Sequence, residues 1–180
     1  MRSFIIILMA LVLGSAFCYR PVFWKNTDKY EIAADGGADG NGIKFKGLKT
    51  VINFDEEDPA RSKIVAIIDA NTLDAGNKEM TAHAKEAIDP QKFPEISFKS
   101  TSIAKTAKGY EATGDLTLHG VTKEVKFPFE FDSKSDIIKF PFLPKQTFNG
   151  KMNIKPKEFG ITRGGTPDIL FINISVPVTK

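Results

Sequence analysis

Residues 109–131 read Gly109-Tyr110-Glu111-Ala112-Thr113-Gly114-Asp115-Leu116-Thr117-Leu118-His119-Gly120-Val121-Thr122-Lys123-Glu124-Val125-Lys126-Phe127-Pro128-Phe129-Glu130-Phe131. Tyr110, Ala112, Gly114, Leu116 and Leu118 share one parity, and Glu111, Thr113, Asp115 and Thr117 share the other. Alternation of this kind describes a half-buried antiparallel strand with one face on a core and one in water. Behind His119-Gly120 the pattern resumes, with Val125, Phe127, Phe129 and Phe131 opposed by Lys126, Pro128 and Glu130. His119-Gly120 is therefore expected to be a tight hairpin turn, because Gly readily supplies the positive φ such turns need.

The same period extends outward in both directions. Upstream, Ile43 and Phe45 alternate with Lys44 and Lys46, and Gly47 resets the phase before Leu48, Val51, Ile52 and Phe54. Ile64 to Ile68 is a continuous apolar run ended by Asp69, and Glu95 to Ile103 alternates through Ile96 and Phe98. Downstream come Phe148, Met152 and Ile154, then Leu170, Ile172, Ile174, Val176 and Val178. Pro128 and Pro177 lack a donor, so each is expected where the ladder does not need one. A single stretch has helical spacing: Met80, Ala84, Ala87 and Ile88 between Asp74-Ala75-Gly76 and Asp89-Pro90. With the rigid Gln91-Lys92-Phe93-Pro94, residues 74–94 read as one excursion between two strands. About eight strands plus one short helical excursion predict an all-β chain closed into a single antiparallel barrel; a sandwich is the structural alternative. Closure removes exposed edges and leaves an interior for packed side chains or one small ligand.

Composition fits that reading. The chain has 180 residues, 42% of them hydrophobic and 26% charged, with 25 basic and 22 acidic side chains for a net charge of +3. This is one globular domain, and the interspersed charges do not mark nucleic acid as a partner. One Cys cannot form an internal disulfide or a thiolate metal cage.

That residue, Cys18, closes an N-terminal segment with its own logic. Met1 and Arg2 precede an apolar run from Phe4 to Leu13, followed by the small residues Gly14, Ser15 and Ala16. The order is that of a secretory signal peptide, and the run is too short to span a bilayer. Residues 1–18 are expected to be the signal, with cleavage after Ala16 or Cys18, and 19–180 the exported barrel domain, periplasmic or secreted. Lipid anchoring through Cys18 is the lesser alternative, since bulky Phe17 fits a lipoprotein signal poorly. No transmembrane span is expected, and the sequence leaves room for a homodimer.

Catalytic motifs are absent: the sequence has no Gly-x-Ser-x-Gly elbow, no His-Glu-x-x-His and no phosphate-cradling glycine loop. His83, between Glu79 and Glu86, would need further converging ligands to hold a metal and is read as a solvated helix-face residue. His119 is assigned a turn or hydrogen-bonding role, with a head-group contact as the alternative. Asn173-Ile174-Ser175 matches a glycosylation acceptor but lies inside an expected strand. Gly36, Gly37, Gly40 and Gly42 around Asp35 and Asp39 are read as a hairpin connection, not a calcium loop. No cofactor and no metal is expected. The aligned Phe groups can fill a solid core or line an apolar cavity, and composition does not separate the two.

Three motifs carry a family resemblance. Gly109 to Val125, the segment Phe93-Pro94-Glu95-Ile96-Ser97-Phe98-Lys99-Ser100 and the turn Phe159-Gly160-Ile161 resemble, in order, signatures of the YceI-like family. The likeness spans about residues 43–178. The family's usual first strand is not evident, and Ala87-Ile88-Asp89 replaces its "Phe-Phe-Asp" form. The resemblance implies an exported lipocalin-like barrel that binds a polyisoprenoid or related long amphiphile. On that basis the ligand is expected among Phe45, Phe54, Phe98, Leu116, Leu118, Phe127, Phe129, Met152 and Ile172, with Met80, Ile88 and Phe93 of the excursion covering one end. The competing expectations are a structural or interaction barrel with a filled core and an enzyme acting on such a lipid through His119 or His83.

Overall fold

The computed structural model describes residues 22–36, 42–132 and 146–180. The expected signal segment 1–18, with Cys18, and most of the glycine-rich loop lie outside them. Ten strands run in chain order: β1 (Phe23–Asn26), β2 (Glu31–Asp35), β3 (Ile43–Lys44), β4 (Leu48–Asn53), β5 (Lys63–Asp69), β6 (Glu95–Thr106), β7 (Gly109–Leu118), β8 (Val121–Asp132), β9 (Gln146–Ile154) and β10 (Leu170–Thr179). Among the described residues one α-helix, α1 (Lys78–Ile88), stands between β5 and β6.

Every pairing is antiparallel, and β10 pairs with β1, closing the ring β1-β4-β5-β6-β7-β8-β9-β10. This is the expected eight-strand lipocalin-like barrel. The strand absent from the sequence reading is a broken one. β1 meets the end of β10 through Asn26↔Val178, and β2 meets its beginning through Glu31↔Ser175 to Asp35↔Phe171. The two pieces form one kinked first strand, and β3 and β4 form an equally kinked second one. No single piece is long enough to show a period. Polar side chains hold the kink. Asn26 Oδ1 accepts from the Thr50 amide and hydroxyl, both at 3.0 Å, and Tyr30 Oη accepts from the Leu48 amide at 2.9 Å while donating to the Lys46 carbonyl. Pro177 sits opposite this break, where its carbonyl accepts from the Thr27 amide at 2.9 Å.

The β7–β8 hairpin has the two-residue turn read from the sequence, with φ of 51° at His119 and 73° at Gly120. Positive φ at both positions is the type I′ turn that matches strand twist. The ladder between β8 and β9 runs only from Phe129↔Gly150 to Asp132↔Thr147. Beyond its end a 3-10 turn, Pro156–Phe159, packs against the barrel with Phe159 buried, and His119 Nδ1 lies 3.2 Å from the Phe159 carbonyl. His119 thus ties the hairpin to that turn.

The excursion begins where Asn77 caps α1, accepting from the Met80 amide at 2.8 Å, and ends in left-handed Asp89 with φ 44°. The helix buries no residue completely. Two carboxylates secure its root. Asp69 accepts from the Asn71 side chain and amide, and Asp74 accepts from the Gly76 amide and from Lys46 Nζ at 3.2 Å. These hydrogen bonds, with Lys46 assisting at Asp74, hold both carboxyls below their ordinary value of 3.8. A folded-state value below the unfolded one contributes stability above the unfolded value, lost as pH falls through the folded one. The protection of the α1 amides, measured relative to their intrinsic exchange rates, should therefore hold down to about pH 4 and fall below it. Asp74→Asn should flatten part of that profile, and an unchanged profile would mean that the root does not depend on this carboxylate.

Candidate functional site

The barrel interior divides into two layers along its axis. At the end holding β1 and the final residues of β10, Phe54 stands at the centre of an aromatic plug. Its ring meets Tyr110, Phe131, Phe148 and Phe129 at 4.9, 5.0, 5.3 and 5.7 Å, each pair close to edge-on. Trp24 closes the plug over Phe131 at 5.6 Å and donates its indole N–H to the Phe54 carbonyl at 3.4 Å. Edge-to-face packing aligns positive ring edges with negative faces and adds to the burial of large apolar surface. Burial first, and the Glu56 carboxylate second, push the Tyr110 phenol above its ordinary value.

Toward the opposite end the packing opens into a cavity of about 180 Å³. Leu116 and Leu118 of β7, Phe98 of β6 and Phe127 of β8 form one side. Met152 and Ile172 face them from β9 and β10, Phe45 reaches in after β3, and Ile88 closes in from the end of α1. Phe129 and Phe148 belong to both layers, lining the cavity floor while packing on Phe54. The accessible wall is wholly apolar. Even Thr50, which lies in the lining, commits its hydroxyl to Asn26 at 3.0 Å.

Three of the twelve residues named from the sequence do not line this cavity. Phe54 is in the plug, because it follows the last residue of β4 and points below the cavity floor into the ring of Tyr110, Phe131 and Phe148. Phe93 lies tilted against the His119 ring at 4.4 Å and lines neither the cavity nor its neighbouring groove. Met80 is 49% exposed and lines an outer groove. At this end the cavity lining includes Ile88 and Leu73, while Met80 stands in the adjoining groove.

That groove, about 630 Å³, was not legible in the sequence. One wall is the face of α1 carrying Met80, His83, Ala84 and Ala87, and the other is the segment Arg163 to Pro167. Ala34, Ile43, Ile88, Ile161 and Leu170 line both groove and cavity, so the two spaces adjoin across these side chains. Arg163 pairs with Glu86 of α1. His83 lies 3.9 Å from Glu79, and His119 lines neither space, so the two histidines do not converge. No group of three potential metal ligands occurs among the described residues. Among those residues no helix is long and apolar enough to cross a membrane.

Comparison with known proteins agrees with this architecture. A protein of the UPF0312 group from Yersinia enterocolitica is 36% identical over 120 residues, covering 66% of this chain and 62% of that protein, so the match spans under two thirds of the relative. In structure, Burkholderia cenocepacia BcnA superposes with a TM-score of 0.73 at 23% identity, over 84% of this chain and 97% of that one. A polyisoprenoid-binding domain from Saccharophagus degradans superposes with a TM-score of 0.58 at 9% identity, over 89% and 99% of the two chains. These two likenesses concern the fold. The family model of the YceI-like domain matches residues 35–179, and the chain belongs to that family.

Proposed function

We propose that this chain is an exported binding protein, released by removal of residues 1–18, that holds the apolar chain of a long amphiphile in the barrel. A polyisoprenoid or related lipid is the ligand class. The observation that carries this reading is a wholly apolar cavity bordered, across shared lining residues, by a larger, mixed groove. A polar ligand in the cavity would leave its hydrogen bonds unmade, at a cost of a few kcal/mol per group. An alkyl or prenyl chain loses nothing there and gains about 0.8 kcal/mol per CH2 removed from water. The cavity is smaller than most sites for whole small molecules, which run from about 300 to 1,000 Å³. It therefore takes the end of the chain, and the groove takes the rest. The YceI-like membership and the polyisoprenoid-binding neighbour support a binding role over catalysis.

Native mass spectrometry of protein recovered from an exporting bacterial host should show a co-purified lipid. Affinity for a homologous alkyl series should rise about fourfold per CH2 until the space is full. Met152→Trp, which places an indole in the cavity, should weaken the best ligand about fiftyfold, the equivalent of roughly three displaced CH2 groups. Apo-protein that ignores prenyl and acyl probes, in wild type and variant alike, would overturn the reading.

A further inference from the structure

Resting on that lipid-binding reading, we propose that the groove seats an anionic head group, with Arg163 as its counter-ion in exchange for Glu86. A chain in the cavity leaves through the residues shared by the two spaces, so its head emerges between α1 and the segment 163–167. The cavity wall offers the head no polar surface, and the groove does. Among the described lining residues of the groove, Arg163 and His83 are the groups able to carry positive charge. Both stand on the helix–loop side, while Asp35, engaged in an interaction of its own, stands on the strand side. An anion is thereby drawn to the helix–loop wall. The Arg163 side chain is partly exposed, so its guanidinium can be reached from solvent.

Glu86 holds that position without being a strong competitor. The side chains of Arg163 and Glu86 are 44% and 56% exposed. Pairs this solvated contribute little net free energy, because water screens them and two long side chains must be ordered. A phosphate or carboxylate anchored by a buried chain can accept two parallel N–H bonds from the guanidinium fork, and its approach is intramolecular once the chain is seated. The exchange breaks one ion pair and makes another, with no net loss of charge pairing at Arg163.

The test compares farnesyl monophosphate with farnesol by titration calorimetry on the full mature chain. Wild type should bind the phosphate ester about tenfold more tightly, as expected for one added charge-assisted contact. Arg163→Gln should shrink that ratio to about twofold, and Glu86→Gln, which removes the internal competitor, should enlarge it. Equal wild-type affinities, or an Arg163→Gln variant that weakens both ligands in parallel, would overturn the head-group assignment while leaving the cavity reading intact. Binding of neither ligand would overturn the cavity reading, and the assignment with it.

Discussion

Replacing Phe54 by Ala is expected to cost about 4 kcal/mol of folding stability, the middle of the range for a buried aromatic. Phe54 is 2% exposed, and four aromatic rings lean on it, so its removal leaves a hole that the neighbours cannot fill. Tyr110 and Phe148 sit on strands locked by ladders on both sides, which limits collapse toward the gap. Urea denaturation should show a lower midpoint with an unchanged slope, the sign of altered stability without altered denatured-state compactness. A loss under about 1 kcal/mol would mean that the plug relaxes freely. The same substitution bears on function. Phe129 and Phe148 separate the cavity from Phe54, so truncation deepens the floor, and the preferred ligand chain should lengthen.

Gly114→Ala is expected to destabilise the protein by about 3 kcal/mol, at the top of the usual range for overpacking. A Cβ at Gly114 would lie 2.4 Å from the Lys99 carbonyl oxygen and 2.7 Å from Ser100 Cα. Both are backbone atoms, so no rotamer change relieves the contact. The close approach arises because β6 shifts register between Ser100 and Ser102, leaving Thr101 outside the ladder and pressing β6 onto β7. Buried Ser100 then turns its hydroxyl to accept from the Ile64 amide at 2.9 Å, tying β5 to the same point. Gly164→Ala, with open space around the added carbon, is the control and should be nearly neutral. A Gly114→Ala variant as stable as wild type would mean that the β6 register shift can relax at little cost.

How far the sequence could be read depended on the length of each regular segment. β7, β8 and β10 run ten to twelve residues. Over that length an inward set such as Tyr110, Ala112, Gly114, Leu116 and Leu118 repeats often enough to be unmistakable, and all five are buried. α1 was legible from its three-to-four-residue spacing and the Asp89-Pro90 stop. The first strand was not, because β1 and β2 are four and five residues broken by a kink. The run Ile64 to Ile68 shows no alternation, yet Ile64, Ala66 and Ile68 line the cavity while Val65 and Ile67 do not. Hydrophobicity without alternation does not state which face is inward. Arg163 gave no signal at all. It sits in a glycine-rich turn, and its partner Glu86 is far away in sequence.

Of the 15 Phe, ten fall at or after Phe93, in the part of the chain that carries the family motifs. Parity alone decided that Phe127, Phe129 and Phe131 share one face of β8, since alternation is a local property of the extended backbone. Whether each is filler or lining is a matter of depth along the barrel axis, and the closed sheet decides it. Phe127 lines the cavity, Phe131 packs into the plug beside Trp24 and Phe54, and Phe129 is the floor between them. Strand tilt and register place residues from distant parts of the chain at one height. So the sequence determined an inward apolar face and a barrel to carry it. Only the tertiary structure decided which half of that face is packed solid and which half is left open, because that depends on which side chains the other strands bring to the same level.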